Sequence, residues 1–289
     1  MRSSHSKIPP FFFSCPIIAK RLINAKRKAA QLCYDHSIAG KTMPVYVMSD
    51  LHGCKDEFDA MLRKIEFSAY DELWIVGDIC DRGKQSIPLL KGIAANDNMH
   101  VIMGNHDVWL RRYMPIMIEG KHDASRIYTA MTNDFMTWLY YNGGMTTLDQ
   151  FMDEDFNSCY DLQLYMEKVP YYAAINVHGQ NYVLVHAGCG ASPAPGTRVS
   201  EVTHFNQVWS HIGIDDNPYT DGTRMIVGHM PTFIYGKEYD GKILHGKDDR
   251  IFHIDCGCVY GRTLGCLRLD DLHEFYIESS YPYLKVEGS

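Results

Sequence analysis

Asp50 and His52 close the stretch "VYVMSDLHG" (Val45 to Gly53), Asp78, Asp81 and Arg82 close "LWIVGDICDRG" (Leu73 to Gly83), and Asn105, His106 and Asp107 close "VIMGNHD" (Val101 to Asp107). Carboxylate, imidazole and amide donors without thiolate suit a divalent cation such as manganese, iron, zinc or magnesium, and not a structural zinc knot. Two such ions about 3.5 to 4 Å apart can share one carboxylate and hold a hydroxide between them for in-line attack on phosphorus. Asp78, in the middle stretch, is the natural bridge. One strand running into Gly-Asn-His-Asp reads more readily as a turn. Three such endings at similar spacing argue for a site.

Each ending must be held by something regular. The apolar runs before the motifs have the length and composition of buried strands, and Lys55 to Glu66 places Phe58, Met61, Leu62 and Ile65 at helical intervals, as Lys84 to Ala95 does for its own apolar residues. The unit reads strand, loop, helix, repeated. In such a wind the crevice lies beyond the carboxyl ends of parallel strands, so one mouth should gather all eight residues.

The chain resembles a known family at this point, the calcineurin-like metallophosphoesterases of the phosphoprotein phosphatase type. "SDLHG", "GDICDRG" and "GNHD" are similar to that family's three amino-terminal signatures, and "VHAG" (Val185 to Gly188) and "VGHMPT" (Val227 to Thr232) to its two later histidine motifs. "IDCGCVYG" (Ile254 to Gly261) is similar to its closing strand, so the resemblance runs from about Met43 to the last strands. It implies Asp50 and His52 on a first metal, Asp78 as the bridge, and Asn105, His186 and His229 on a second, with manganese the favoured ion. His106 is then the proton donor to the leaving oxygen, Asp81 its orienting partner and Arg82 the phosphate clamp, while Asp107 braces its own loop.

Three positions depart from the pattern. Ser49 replaces a usual Gly, Met103 stands where protein phosphatases commonly carry Arg before "GNH", and His211 in "VWSHIG" stands where relatives place Arg after Trp. Arg82 is left nearly alone among cations, and a tetraphosphate, with about four negative charges, would want more of them. The charge argument favours a phosphomonoesterase, a serine/threonine protein phosphatase acting on phosphorylated protein or a small phosphoester. The apolar residue before "GNHD" and the "GCVYG" resemble the diadenosine tetraphosphatases, so a bis(5'-nucleosyl)-tetraphosphatase is the alternative. A non-catalytic metal-binding scaffold is a second alternative and would require a missing ligand or acid, which the motifs do not show.

Composition bounds this reading without adding to it. At 289 residues and 46% hydrophobic the chain can bury a full core, and its net charge of −7 is unevenly spread. Residues 1–42 hold eight Lys/Arg against one acid, Asp35, which leaves a strongly acidic body that argues against nucleic acid as a partner. The segment "MRSSHSKIPPFFFSCPIIAKRL" is too short and proline-broken in its apolar part to span a membrane, and residues 1–42 are expected to be a disordered extension or sequence upstream of a start at Met43. Nine cysteines, without paired metal spacing, argue for a reducing, cytoplasmic compartment. Cys256 and Cys258, two apart, would share one face if they lay on a strand, and are expected to be core residues; Cys54 and Cys80 lie beside site motifs where oxidation could matter.

Residues 43–289 form the expected domain. About 111–170 should be a helical cap inserted after "GNHD", in which "RIYTAMTNDFMTWLYYNGG" ends on the helix-stopping Asn142-Gly143-Gly144 and its aromatics mostly fill a core. After Tyr171 the chain turns to strands and a second sheet. The fold class is therefore α/β, a two-sheet, four-layer α-β-β-α sandwich with flanking helices. Of the remaining histidines only His253, two residues before Asp255, is a candidate for the mouth, and packing is the better expectation for it.

Overall fold

The computed structural model describes Ser37–Ile38 and residues 41–282. The basic segment lies outside that range except for a two-residue antiparallel ladder, β1 (Ser37–Ile38) on β2 (Lys41–Thr42).

The expected wind is present. Strands β3 (Val45–Met48), β4 (Glu72–Val76) and β5 (Met99–Ile102) run parallel, connected by helices Lys55–Lys64 and Ser86–Ala94. All four residues of β3 are buried, as an interior parallel strand covered on both faces requires. The second sheet has the order β6 (Tyr172–Val177), β7 (Gln180–Val185), β8 (Arg224–Val227), β10 (Ile251–His253), β9 (Leu244–His245), with β7, β8 and β10 parallel. The last strands do not extend it. β11 (Thr263–Arg268) and β12 (His273–Glu278) form a hairpin that returns to the first sheet, where β11 pairs antiparallel with β3.

Alternation along the strands sorts the core into three layers. Tyr46, Met48, Leu73, Ile75 and Cys266 pack on helix residues Phe58, Met61, Leu90, Leu110 and Met114. Val45, Val47, Trp74 and Val76 meet Tyr182, Leu184, Ile226 and Phe252 between the sheets. Val183, Val185, Met225 and Val227, on the outer face of the second sheet, are covered by Val199, Ile212 and Tyr219. That cover is thin, a 3-10 turn and loops. Each large side chain so buried contributes about 1.5–3 kcal/mol relative to exposure.

The cap does not start after the third motif but within it. Helix Asn105–His122 begins on the motif's own asparagine, because the Asp107 carboxylate accepts the Gly104 N–H at 3.0 Å and closes the first turn. Helices Ser125–Thr129 and Asn133–Met136, one π-helical turn Thr137–Tyr141, and helices Gly144–Asp153 and Phe156–Met166 follow. Gly143, left-handed at φ 81°, makes the break before Gly144 opens the next helix. The cap aromatics divide: Tyr113, Phe135, Trp138 and Phe151 pack inward, while Tyr128, Tyr140, Tyr141 and Tyr160 are exposed.

Candidate metal centre

The carboxyl ends of β3, β4 and β5 and of β7 and β8 converge, and the backbone there is contorted. Asp50, His52, Asp78, Asp81, Arg82 and His229 all adopt left-handed φ, between 40° and 74°. Each costs about 1–2 kcal/mol for a non-glycine residue, a price that hydrogen bonds between the turns offset. Asp50 N–H donates to the Gly77 carbonyl at 3.0 Å, His52 N–H to Asp78 at 2.9 Å and Gly53 N–H to Ile79 at 2.8 Å. Asp107 binds the second turn to the third by accepting the N–H groups of Asp78 (2.8 Å) and Ile79 (3.0 Å) as well as that of Gly104. It braces two loops rather than its own alone. Gly104 is required by contact: a Cβ there would lie 2.1 Å from Asp78 Oδ1.

Two groups of donor atoms share Asp78. In one, His52, Asp78 and His106 bring ligand atoms within 4.8 Å of one another; in the other, Asp78, His186 and His229 do. Asn105 Oδ1 sits 3.0 Å from both His186 Nε2 and His229 Nδ1. Asp50 is beside the groups, with both carboxylate oxygens accepting from the His229 N–H at 3.1 and 3.2 Å.

The ring tautomers are set by backbone carbonyls. His52 Nδ1 donates to the Cys80 carbonyl at 2.8 Å and His186 Nδ1 to Val76 at 2.8 Å, so each Nε2 turns a lone pair into the centre. Lone pairs facing lone pairs call for positive charge. Arg82 inserts its guanidinium, donating from Nη1 to His52 Nε2 at 2.7 Å and from Nη2 to His106 Nε2 at 2.9 Å. Burial lowers the basicity of His186, but the charge of Asp78 outweighs it and pushes the imidazole up to about 10. The Asn105 amide has its oxygen among acceptors only, and would have to turn its NH2 inward to find partners there. Burial, with Asp255 beside it, pushes the Asp50 carboxyl well up, and burial raises Asp107 and Asp255 to about 6. The residues present fit divalent cations, which would neutralise this cluster.

Asp81 serves the other side of the mouth. Fully buried, it accepts His106 Nδ1 at 2.7 Å, Trp138 Nε1 at 2.6 Å and Thr147 Oγ1 at 2.6 Å. Trp138 and Thr147 belong to the cap, as does Gly143, whose carbonyl accepts the Arg82 N–H at 3.1 Å. The Arg82 guanidinium carbon also lies 5.4 Å from the centre of the Tyr260 ring.

A family model for calcineurin-like phosphoesterases matches residues 43–256, the span that contains every one of these donors. The chain belongs to the calcineurin-like phosphoesterase family. It is 46% identical over 70 residues to a symmetrical bis(5'-nucleosyl)-tetraphosphatase of Haemophilus ducreyi, covering 24% of this chain and 26% of that one. It is 30% identical over 115 residues to the enzyme of the same name from Vibrio campbellii, covering 38% and 43%. The matched segments thus span under half the length of these relatives. Among solved structures, one provisionally assigned as a diadenosine tetraphosphatase superposes with TM-score 0.55 at 16% identity, over 84% of this chain and 96% of that one. A protein serine/threonine phosphatase from Saccharomyces cerevisiae gives 0.51 at 13%, over 84% and 82%. At such identities the likeness concerns the fold alone.

Seen against this phosphoesterase fold, the departures resolve differently. Met103 is fully buried in the helix-side core. His211 is exposed, its ring 6.0 Å from that of His229. His253 is buried on β10 with Nε2 3.2 Å from the Ile214 carbonyl, and it joins neither donor group. Cys256 and Cys258 lie beyond the end of β10 and separate into different cores, so they do not share a strand face. Cys54 and Cys80 are buried and their thiols are pushed well up, Cys54 by a hydrogen bond with Cys258 and by burial, Cys80 by burial. Sequence reasoning passed over Trp138 and Thr147, whose positions carry no motif; the only hint was an aromatic run in the cap. Among the described residues no helix is long and apolar enough to cross a membrane.

Proposed function

We propose that the protein is a metal-dependent phosphoester hydrolase that cleaves dinucleoside tetraphosphates symmetrically, to two nucleoside diphosphates. The observation that carries the hydrolase reading is the pair of donor groups sharing Asp78, with Arg82 and the His106–Asp81 pair at their edge. The substrate order expected from charge alone is reversed, because the curated relatives are named for tetraphosphate hydrolysis while the protein phosphatase is a likeness of fold only.

In this reading Asp50, His52 and Asp78 hold one divalent ion and Asp78, Asn105, His186 and His229 the other, manganese being our choice. Bound there, the ions supply Lewis-acid charge and a nucleophile at neutral pH. The rest is the work of the chain. Arg82 leaves the two imidazoles and takes non-bridging oxygens of the substrate, for which its planar fork is suited. His106 Nε2, relieved of Arg82, would take a proton from solvent and pass it to the leaving oxygen, while Asp81 on Nδ1 keeps the ring aimed.

The deciding measurement is kcat/KM for diadenosine tetraphosphate against a phosphoserine peptide, under one metal and salt condition. We expect the dinucleotide to be preferred by more than about tenfold, roughly 1.4 kcal/mol of transition-state binding. A preference for the peptide by the same margin would return the protein to the phosphatase reading.

A further inference from the structure

Three ring contacts lead outward from His106. Its imidazole meets Trp109 edge-on at 5.4 Å, Trp109 meets Trp209 edge-on at 4.6 Å, and Trp209 stacks on Phe205 at 6.2 Å and 23°. Exposure rises along the series, from a buried Trp109 through a half-buried Trp209 to Phe205, which is 66% exposed.

The short helix His204–Trp209 that carries the outer rings is tied to the metal loops. The Gln207 carbonyl accepts the N–H of Ala187, next to His186, at 2.7 Å, and the Val208 carbonyl is within 3.3 Å of the Asn105 amide. Beside Phe205, His204 stacks face to face on Tyr171 at 3.8 Å and 7°, and the Arg111 guanidinium lies over that tyrosine at 5.1 Å. An exposed phenylalanine on so short a helix gains nothing from water. Here it presents a flat apolar face at the outer end of the ring series that begins at His106.

We propose that Phe205, backed by Trp209, is a stacking shelf for one nucleobase of the substrate. The inference rests on the dinucleotide reading and goes beyond it by assigning the base a place. A base fits because any of the four offers a π face, and stacking on an aromatic side chain is sequence-tolerant and changes affinity strongly. It also answers the shortage of arginines at Met103 and His211: part of the substrate is recognised by its rings and not by its charge.

The test uses the metal-loaded full chain as wild type, Phe205→Ala and Phe205→Trp. The ratio of kcat/KM for diadenosine tetraphosphate over that for p-nitrophenyl phosphate should fall roughly 5- to 100-fold in Phe205→Ala, through KM, and return in Phe205→Trp to within about twofold of wild type. A ratio that moves less than about twofold, or equal losses on both substrates, would overturn the shelf and leave Phe205 a structural residue. Tryptophan fluorescence separates the two ideas. Adenosine monophosphate should quench it and bind more weakly to Phe205→Ala, whereas ribose 5-phosphate should not distinguish the proteins. If wild type fails to cleave the dinucleotide, the proposed function fails; this binding difference then decides whether a base still stacks, and equal binding would sink the shelf as well.

Discussion

The strand-end floor of the mouth and the cap above it are built on opposite principles. The floor brings together groups that repel one another, the carboxylates of Asp50, Asp78 and Asp255 and the inward acceptors of His52 and Asn105, with Asp50, His52 and Asp78 on backbone held in left-handed turns. The cap brings donors: the Trp138 indole and the Thr147 hydroxyl end on Asp81, satisfying a carboxylate that already holds His106. One region is stable when a cation arrives; the other is complete by itself. On the roles proposed above, ion binding and proton delivery should be separable. Damage to the floor should empty the centre, while damage to the cap should misaim an imagined proton path without loss of metal.

The sharpest way to break that contrast is Asp78→Asn. With one carboxylate common to both donor groups, the substitution should remove both ions together and cut turnover by more than about 10³-fold, beyond the 10–100-fold typical of changes one layer further out. Metal analysis after gel filtration checks it, and two ions retained with normal turnover would show that Asp78 bridges nothing.

His106→Asn lies on the boundary. Its expected result is full metal content with hydrolysis slowed by roughly 10² to 10⁴, least for good leaving groups. Comparing p-nitrophenyl phosphate with an alkyl phosphate provides the check, since a uniform loss would mean that the imidazole donates no proton.

Thr147→Val probes the cap alone. The side chain keeps its shape but stops donating to Asp81 Oδ1, which costs about 1–3 kcal/mol in stability through one unsatisfied buried oxygen, while the Asp81 N–H keeps the Ser86 hydroxyl at 3.0 Å. Turnover should fall about tenfold with both ions in place. Loss of metal in this variant would erase the distinction between floor and cap.

The parallel wind and most of the centre were legible in the chain because each motif is local. An apolar run makes a strand, the residues after it must stand at that strand's carboxyl end, and Asp50, His52, Asp78, Asn105 and His106 therefore converge wherever three such strands lie side by side. Arg82 and Asp81 came with the second motif for the same reason. That helix Asn105–His122 opens on the motif itself was not legible, since Gly-Asn-His-Asp has turn chemistry and only the reach of Asp107 to the Gly104 N–H makes it a helix start.

What the sequence determined by itself was thus the kind of donor and its place at a strand end, properties that depend on residue type and on neighbours a few positions away. Tertiary structure alone decided whose donors complete Asp81, 57 and 66 positions distant in the chain, that Met103 is closed into the core, and that β11 leaves the second sheet to pair with β3. These are matters of burial. A carboxylate with no solvent must find its hydrogen bonds wherever packing puts them, and a methionine fills whatever gap the helices leave; neither demand is written in a motif.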